Sequence, residues 1–340
     1  MALTQKDLAA RLNISQVTVS RALRGEVSVK PALRKRIIKE AEQAGYSIQD
    51  SNFEARRMRQ RAVGAPAATN VICALVHDED DSLGFGGRIL RGMNREADAI
   101  GMEIVMMTHY NASLPRIVAR GQVDGVVRLL GDIEFAKGLP AMPMPWVSIL
   151  YDVPQADLIT VDNFTGMRDV GRHICSHGHQ RIAFIGPDTH IARDRLSGLR
   201  AAAQESDAEI PDELVCMEPH SADEVATKMY IERLMADGTP SFTALVAYND
   251  YMAEFAMKEF RSRGLRVPEE ISVAGFDGVL PSRLHEHTQI TTAAIPLEDL
   301  GAAAVRRLQQ RIKSPDEARK KIMMDATFVE GETVADVSTQ

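Results

Sequence analysis

Cysteine is scarce in this 340-residue chain: Cys73, Cys175 and Cys216 are odd in number and far apart. Such a set supports neither a disulfide framework nor a CxxC zinc site, and buried free thiols are expected. Long apolar runs are absent as well, none approaching the ~20 residues of a membrane span. The opening MALTQKDLAARL is interrupted by charge at once, so no signal peptide is expected and the cytoplasm is the expected location. No GxSxG, HExxH, P-loop or paired-carboxylate motif occurs, so the expectation is a protein that is not an enzyme and needs no cofactor or metal.

What is present describes a globular protein, 45% hydrophobic and 26% charged, long enough for two or three domains. Its charge is divided unevenly. Residues 1–61 hold 13 Lys+Arg and 6 Asp+Glu, a net of +7, which leaves −14 on the rest of a chain whose total is −7. A basic head on an acidic body predicts that the head faces a polyanion.

Within that head, LTQKDLAARLN predicts a helix with Thr4 as N-cap, Asp7 as the acidic partner of the cap, and Leu8, Ala9 and Leu12 inward. Asn13 follows where a tight turn needs left-handed geometry, which Asn tolerates. The next stretch, SQVTVSRAL, places Val19 and Leu23 on one face with Ala22, and Gln16, Val17, Ser20 and Arg21 on the other. Two short helices so joined predict a helix-turn-helix, whose second helix enters the DNA major groove. A third helix is predicted over about Lys30 to Ala44, with Leu33, Ile37 and Ala41 inward and Gly45 as its stop.

The run KDLAARLNISQVTVSRALRG, followed by VKPALRKRIIKEAEQAGY, resembles the DNA-binding head of the lactose-repressor (LacI/GalR-type) family of bacterial transcription regulators. The resemblance implies that Gln16, Val17 and Arg21 read base edges, and that Thr4, Ser15, Thr18 and Ser20 meet phosphate or neighbouring bases. The chemistry agrees, since Arg suits guanine, Gln suits adenine and Val suits a thymine methyl. It also implies a hinge helix within NFEARRMRQR, where Asn52, Ala55, Arg56 and Arg59 touch DNA and Met58 matches the residue wedged into the minor groove. From composition alone, the same segment also fits a disordered basic linker. Here it stands about three residues further from Tyr46 than the family pattern, and it is more basic.

From VICALV onward, short apolar strands alternate with helical stretches, which predicts parallel α/β sheets. Strands are predicted at Val71–Val76, Glu103–Met107, Gly125–Leu129, Trp146–Leu150, Arg181–Ile185, Ala244–Tyr248 and Ser272–Phe276. Helices are predicted at Gly87–Ile100, Gly166–Ser176, Arg193–Glu205, Ala222–Met235, Asp250–Arg263 and Leu297–Ile312. The runs VDNFTG, HGHQRIAFIGP, YNDYMA and VAGFDG, with DRLSGLRAA, resemble the family's two-lobed, periplasmic-binding-protein-like core. On that resemblance Arg195, Asn249 and Asp277 would hold an effector's hydroxyls or ring nitrogens, Phe85 would form an apolar wall, and Tyr151 and His220 would complete the pocket. An Arg, an Asn and an Asp suit a polyol, because each can pair with vicinal hydroxyls. Asp250, beside Asn249, also fits a helix N-cap role.

The expected organisation is an all-α head at 1–50, a hinge helix and linker at 51–69, and a two-lobed effector-binding and dimerisation core at 70–330. The expected function is a ligand-controlled repressor that binds a pseudo-palindromic operator as a homodimer, with a carbohydrate as effector. GFGG at Gly84–Gly87 reads as a helix start, Cys175, His177 and His179 as an ordinary helix-to-strand turn, and Asp78–Asp81 as an acidic solvated loop. A solute-binding transport protein would share the core but not the basic head.

Overall fold

The computed structural model describes residues 5–23, 33, 36–37, 39–41, 69–77, 84–109, 115–129, 144–218, 222–236, 238–279 and 288–337. The expectations for the hinge helix, the Asp78–Asp81 loop and the ends of the third head helix lie outside the described residues.

Two short helices, Gln5–Leu12 and Gln16–Leu23, meet at Asn13, whose φ of 53° is the left-handed geometry expected of it. Ser15 caps the second helix, its Oγ accepting from the Thr18 amide at 3.1 Å. Leu8, Ala9, Leu12, Val19 and Ala22 pack with Ile37 and Ala41 in a small apolar cluster. These are the inward residues that the periodicity of the three segments predicts.

Beyond residue 69 the chain builds two parallel sheets. The first contains β1 (Val71–His77), β2 (Glu103–His109), β3 (Gly125–Leu129), β4 (Trp146–Ile149), β5 (Asp157–Val161) and β11 (Lys321–Met324), in the order β2-β1-β3-β4-β5-β11. The second contains β6 (Ile182–Pro187), β7 (Val215–Glu218), β8 (Ala244–Ala247) and β9 (Ser272–Ala274), in the order β7-β6-β8-β9. An antiparallel ribbon joins β10 (Thr292–Ala294) to β12 (Thr327–Val329). Strands β3, β4, β5, β6 and β8 are buried along their whole length, as parallel strands must be when helices cover both faces.

The lobes are not consecutive in sequence. The chain passes between them three times: from β5 to the helix Asn163–Ser176, from β10 to the helix Leu297–Lys313, and from β11 to β12. The helix Leu297–Lys313 belongs to the first lobe, where it crosses the helix Phe85–Ala99 at closest approach. A Cβ on Gly92 would lie 1.8 Å from the Glu298 carbonyl oxygen, and one on Gly301 would lie 2.1 Å from that of Ile89, so only glycine fits on either side. The far end of the same helix is fixed by buried charge. Arg307 donates to Asp157 at 2.9 Å and to Glu317 at 2.6 Å, Arg311 lies 3.0 Å from the other Asp157 oxygen, and the Lys320 amide donates to Asp157 at 2.7 Å. Helix, β5 and β11 are thereby held at one point.

Several elements differ from the sequence expectation. Strand β4 ends at Ile149 because Leu150 adopts a φ of 67°, and β9 ends at Ala274 because the chain turns toward Asp277, with a φ of 107°. The helices expected from Gly166 and Arg193 begin one turn earlier, at Asn163 and His190. Asp162 and Thr189 cap them, accepting from the amides of Thr165 and Ala192. Strands β5, β7, β10, β11 and β12 were not expected at all.

Candidate functional site

Open parallel sheets present their ligand sites beyond the carboxyl ends of the strands, where the strand order reverses. In the second sheet that point lies between β6 and β8, and the residues that follow them begin two helices. Thr189 caps the helix His190–Gln204, which carries Arg195. Asn249 caps the helix Asp250–Ser262, its Oδ1 accepting from the Met252 amide at 3.0 Å. The capping role considered for the Asn249–Asp250 pair therefore falls to Asn249. Asp250 is buried and accepts instead from Thr292 Oγ1 at 2.7 Å and from the Val279 amide at 2.9 Å, fixing the loop that carries Asp277.

Arg195 is the centre of the site. It is only 4% exposed and donates to three different elements: from Nε to Asn163 Oδ1 at 2.9 Å, from Nη1 to the Tyr248 carbonyl at 2.5 Å, and from Nη2 to Asp277 Oδ1 at 3.0 Å. The guanidinium lies 3.8 Å from the centroid of the Phe276 ring and 4.6 Å from that of Tyr248. A buried charge is tolerated only when paired and hydrogen-bonded, and this environment supplies an ion pair and a bond to each of the three nitrogens, with two aromatic faces besides. Asp277 is gripped through its backbone too: its amide donates to the Ala293 carbonyl, and its carbonyl accepts from Ile295.

Burial pushes the Asp277 carboxyl up to about 6, against the opposing pull of the Arg195 charge and hydrogen bond. Burial, and then the charge of Asp277, raises Asp250 well above the ordinary carboxylate range. The phenol of Tyr248 is raised by burial as well.

The first lobe faces this cluster with Tyr151, just past the end of β4, and Phe85, at the start of its helix. Tyr151 shares a hydrogen bond with the side chain of Tyr248, and its ring meets His190 edge-on at 6.2 Å. Arg88 donates from the first lobe to the Gly278 carbonyl at 3.2 Å. Thus Tyr151, Arg195 and Asp277 meet between the lobes, while Asn249 caps the helix Asp250–Ser262 and Phe85 begins the helix Phe85–Ala99 of the first lobe. His220, Thr4, Asn52, Ala55, Arg56, Met58 and Arg59, all singled out in the sequence, lie outside the described residues. Ser15, Gln16, Val17 and Arg21 form an exposed polar face on the second short helix, with Val17 57% exposed and Thr18 half-buried beside them. Of Ser20 only the helical backbone is described.

Four residues of the cleft escaped sequence reasoning. Asn163 and His190 stand at helix starts that were set a turn too late, and Tyr248 was counted only as the end of a strand. Arg128, fully buried near the carboxyl end of β3, donates to Ser148 Oγ at 3.4 Å and lies 5.9 Å from the Tyr151 ring centroid. A lone arginine in the apolar run GVVRLL was the visible signal for it.

Polar groups that meet from two lobes, with a buried Arg–Asp pair at the centre, can clasp a small polar molecule through several paired hydrogen bonds. Elsewhere His179 engages Thr243 and the Ala335 carbonyl through its two ring nitrogens, a structural use of that turn.

Residues 172–334 match the family model described as a periplasmic binding protein-like domain. Along its whole length the chain is 24% identical to the HTH-type transcriptional regulator DegA of Bacillus subtilis, covering all of that protein. It is 27% identical to the HTH-type transcriptional repressor CytR of Escherichia coli, over 96% of this chain and 95% of that protein. A solved complex of the transcriptional regulator CelR with cellobiose superimposes with a TM-score of 0.67 at 23% identity, over 97% of this chain and 99% of that one. The lac repressor dimer bound to operator and the anti-inducer ONPF superimposes with a TM-score of 0.62 at 20% identity, over 98% and 100%. No described helix is long and apolar enough to cross a membrane.

Proposed function

We propose that this chain is a repressor of the lactose-repressor family of transcription regulators, one that binds a pseudo-palindromic operator as a homodimer, in the cytoplasm, under the control of a small carbohydrate. It is a regulator and not an enzyme. The observation that carries the effector half is the Arg195 cluster: a fixed guanidinium, the Asp277 carboxylate and the Tyr151 phenol meet between two lobes joined by three crossings, and the Asn249 amide, at the start of the helix Asp250–Ser262, is the further group proposed to reach the effector. Such a group supplies donors and acceptors in pairs, as vicinal hydroxyls require. The solved relatives add a parallel, one being a complex with cellobiose and another a complex with ribose.

The DNA half rests on the head. Residues 1–50 form the proposed helix-turn-helix domain, residues 51–69 the hinge and linker, and residues 70–330 the core. Gln16, Val17 and Arg21 share the exposed face of the second helix, the side that would enter a major groove, and the net charge of +7 over residues 1–61 favours a phosphate backbone. One such head covers a half-site only, so two copies are required and a two-fold operator follows. Effector binding would reset the lobes and with them the order of the hinge, through a coupling of typically about 1–3 kcal/mol that acts equally in both directions.

Selection from randomised duplexes at fixed salt, followed by sequencing, tests the operator half. A two-fold symmetric motif is the expected result, and enrichment of no motif, with or without added sugars, would overturn it. Calorimetry with neutral mono- and disaccharides tests the other half, with loss of binding expected in Arg195→Ala.

A further inference from the structure

The two lobes are joined by three crossings, and the side chain of Arg195 is linked to all of them. The second crossing follows β10, and Asp277, the ion partner of Arg195, pairs through its backbone with Ala293 and Ile295 on that segment. The first and third crossings are clasped to each other, because the Asp162 amide donates to the Met324 carbonyl at 2.8 Å. Asn163 stands beside that clasp and is buried. Its Oδ1 accepts from Arg195 Nε at 2.9 Å, and its Nδ2 donates to the Val161 carbonyl at 3.3 Å, spanning Asp162. The amide orientation is fixed by its partners: a guanidinium only donates and a carbonyl only accepts.

We propose that Asn163 is the positioning residue that couples Arg195 to the clasp between two of the inter-lobe crossings. The planar carboxamide carries an acceptor and a donor on one rigid group. A shift of the guanidinium toward a ligand therefore rotates the whole group and withdraws its donor from Val161. The backbone at Asp162 is then released and the Asp162–Met324 bond loosens. An aspartate at 163 could hold Arg195 but could not donate to Val161, and alanine could do neither. This coupling rests on Arg195 as an effector contact, and it explains why a single side chain in the cleft is able to alter how the lobes are joined.

The test is a double-mutant cycle read by hydrogen exchange at the Asp162 amide, resolved to single residues, on the full chain without DNA or sugar. Arg195→Lys keeps the charge and removes the planar fork. In the otherwise unaltered chain it should speed exchange at Asp162 about tenfold, while the amides of Val127 and Val246, in the middle of the two sheets, stay unchanged. In Asn163→Asp the Asp162 amide should already exchange fast, and adding Arg195→Lys should change it no further. Equal acceleration by Arg195→Lys in both backgrounds, or none in the unaltered chain, overturns the coupling. Should Asn163→Asp lose its far-UV circular dichroism, Asn163→Ser completes the same cycle. Neither operator nor effector enters the measurement, so its failure is separate from failure of the repressor reading, which the duplex selection decides.

Discussion

Asp277 is placed between two opposed influences, and their balance makes a quantitative prediction. Burial disfavours its charge and Arg195 favours it. Burial prevails, leaving the carboxyl at about 6 against an ordinary 3.8. Between those values the native state holds a proton that the unfolded chain has released, so stability must fall as pH rises across the window. At about 1.4 kcal/mol per pH unit the total comes to about 3 kcal/mol, complete only well below pH 3.8 and gone above pH 6 to 7. Asp277→Asn removes the titration and keeps the shape. Asparagine also tolerates positive φ better than most residues, which matters at 107°. The quantity to measure is the urea-unfolding free energy of the natural chain minus that of the variant, at pH 4, 5, 6 and 7. It should fall by about 2.4 kcal/mol from the lowest pH to the highest, because at pH 4 the unfolded carboxyl is already partly protonated. The charge of Asp277 also helps to raise Asp250, so the neighbour adds to the same sign. If the ion pair with Arg195 were the stronger influence, the difference would rise with pH. A flat or rising difference refutes the argument.

Three further outcomes are expected. Arg21→Ala should cost roughly 1–3 kcal/mol of operator binding and relax preference at one base position, measured by competition between operator variants; equal loss on random duplex would contradict base reading. Gly301→Ala should destabilise the first lobe by roughly 1–3 kcal/mol, because its Cβ meets the Ile89 carbonyl, and a melting temperature unchanged by calorimetry would show that the crossing is looser than described. Asp157→Asn should cost about 3–5 kcal/mol by leaving Arg307 and Arg311 short of their shared counter-charge, as read by denaturant unfolding at pH 7; a loss under 1 kcal/mol would reassign the network to Glu317.

Local chemistry was the most legible part of the sequence. Asn13 announced its left-handed turn, GVVRL its buried strand, and the spacing of Leu8, Leu12 and Val19 the face on which they pack. What could not be read depends on partners distant in the chain. The strand KIMM is a short edge strand of alternating exposure, ordered by pairing with β5 more than 150 residues earlier. The aspartate that opens DLITV looks foreign to a strand until Arg307 is seen beside it. The helix starts at Asn163 and His190 were missed for a different reason, since their caps, Asp162 and Thr189, stand within two residues of strand ends. Of the cleft, the Arg195, Asn249 and Asp277 set was visible by resemblance, whereas the role of Asn163 depends on its meeting Arg195, 32 residues away in the chain.

The interleaved connectivity of the lobes bears on how the protein is made. The first lobe is incomplete until the helix Leu297–Lys313 crosses it at Gly92 and β11 joins β5. A ribosome that adds about 5–20 residues per second needs on the order of 10–50 s to go from the end of the basic head to Met324. For that interval a head could meet DNA while the lobe behind it still lacks its last strand, and no cleft yet exists to answer an effector. On the proposed reading, control by an effector is thus the last property this chain acquires during synthesis, and products cut short before β11 should carry a head that no effector can control.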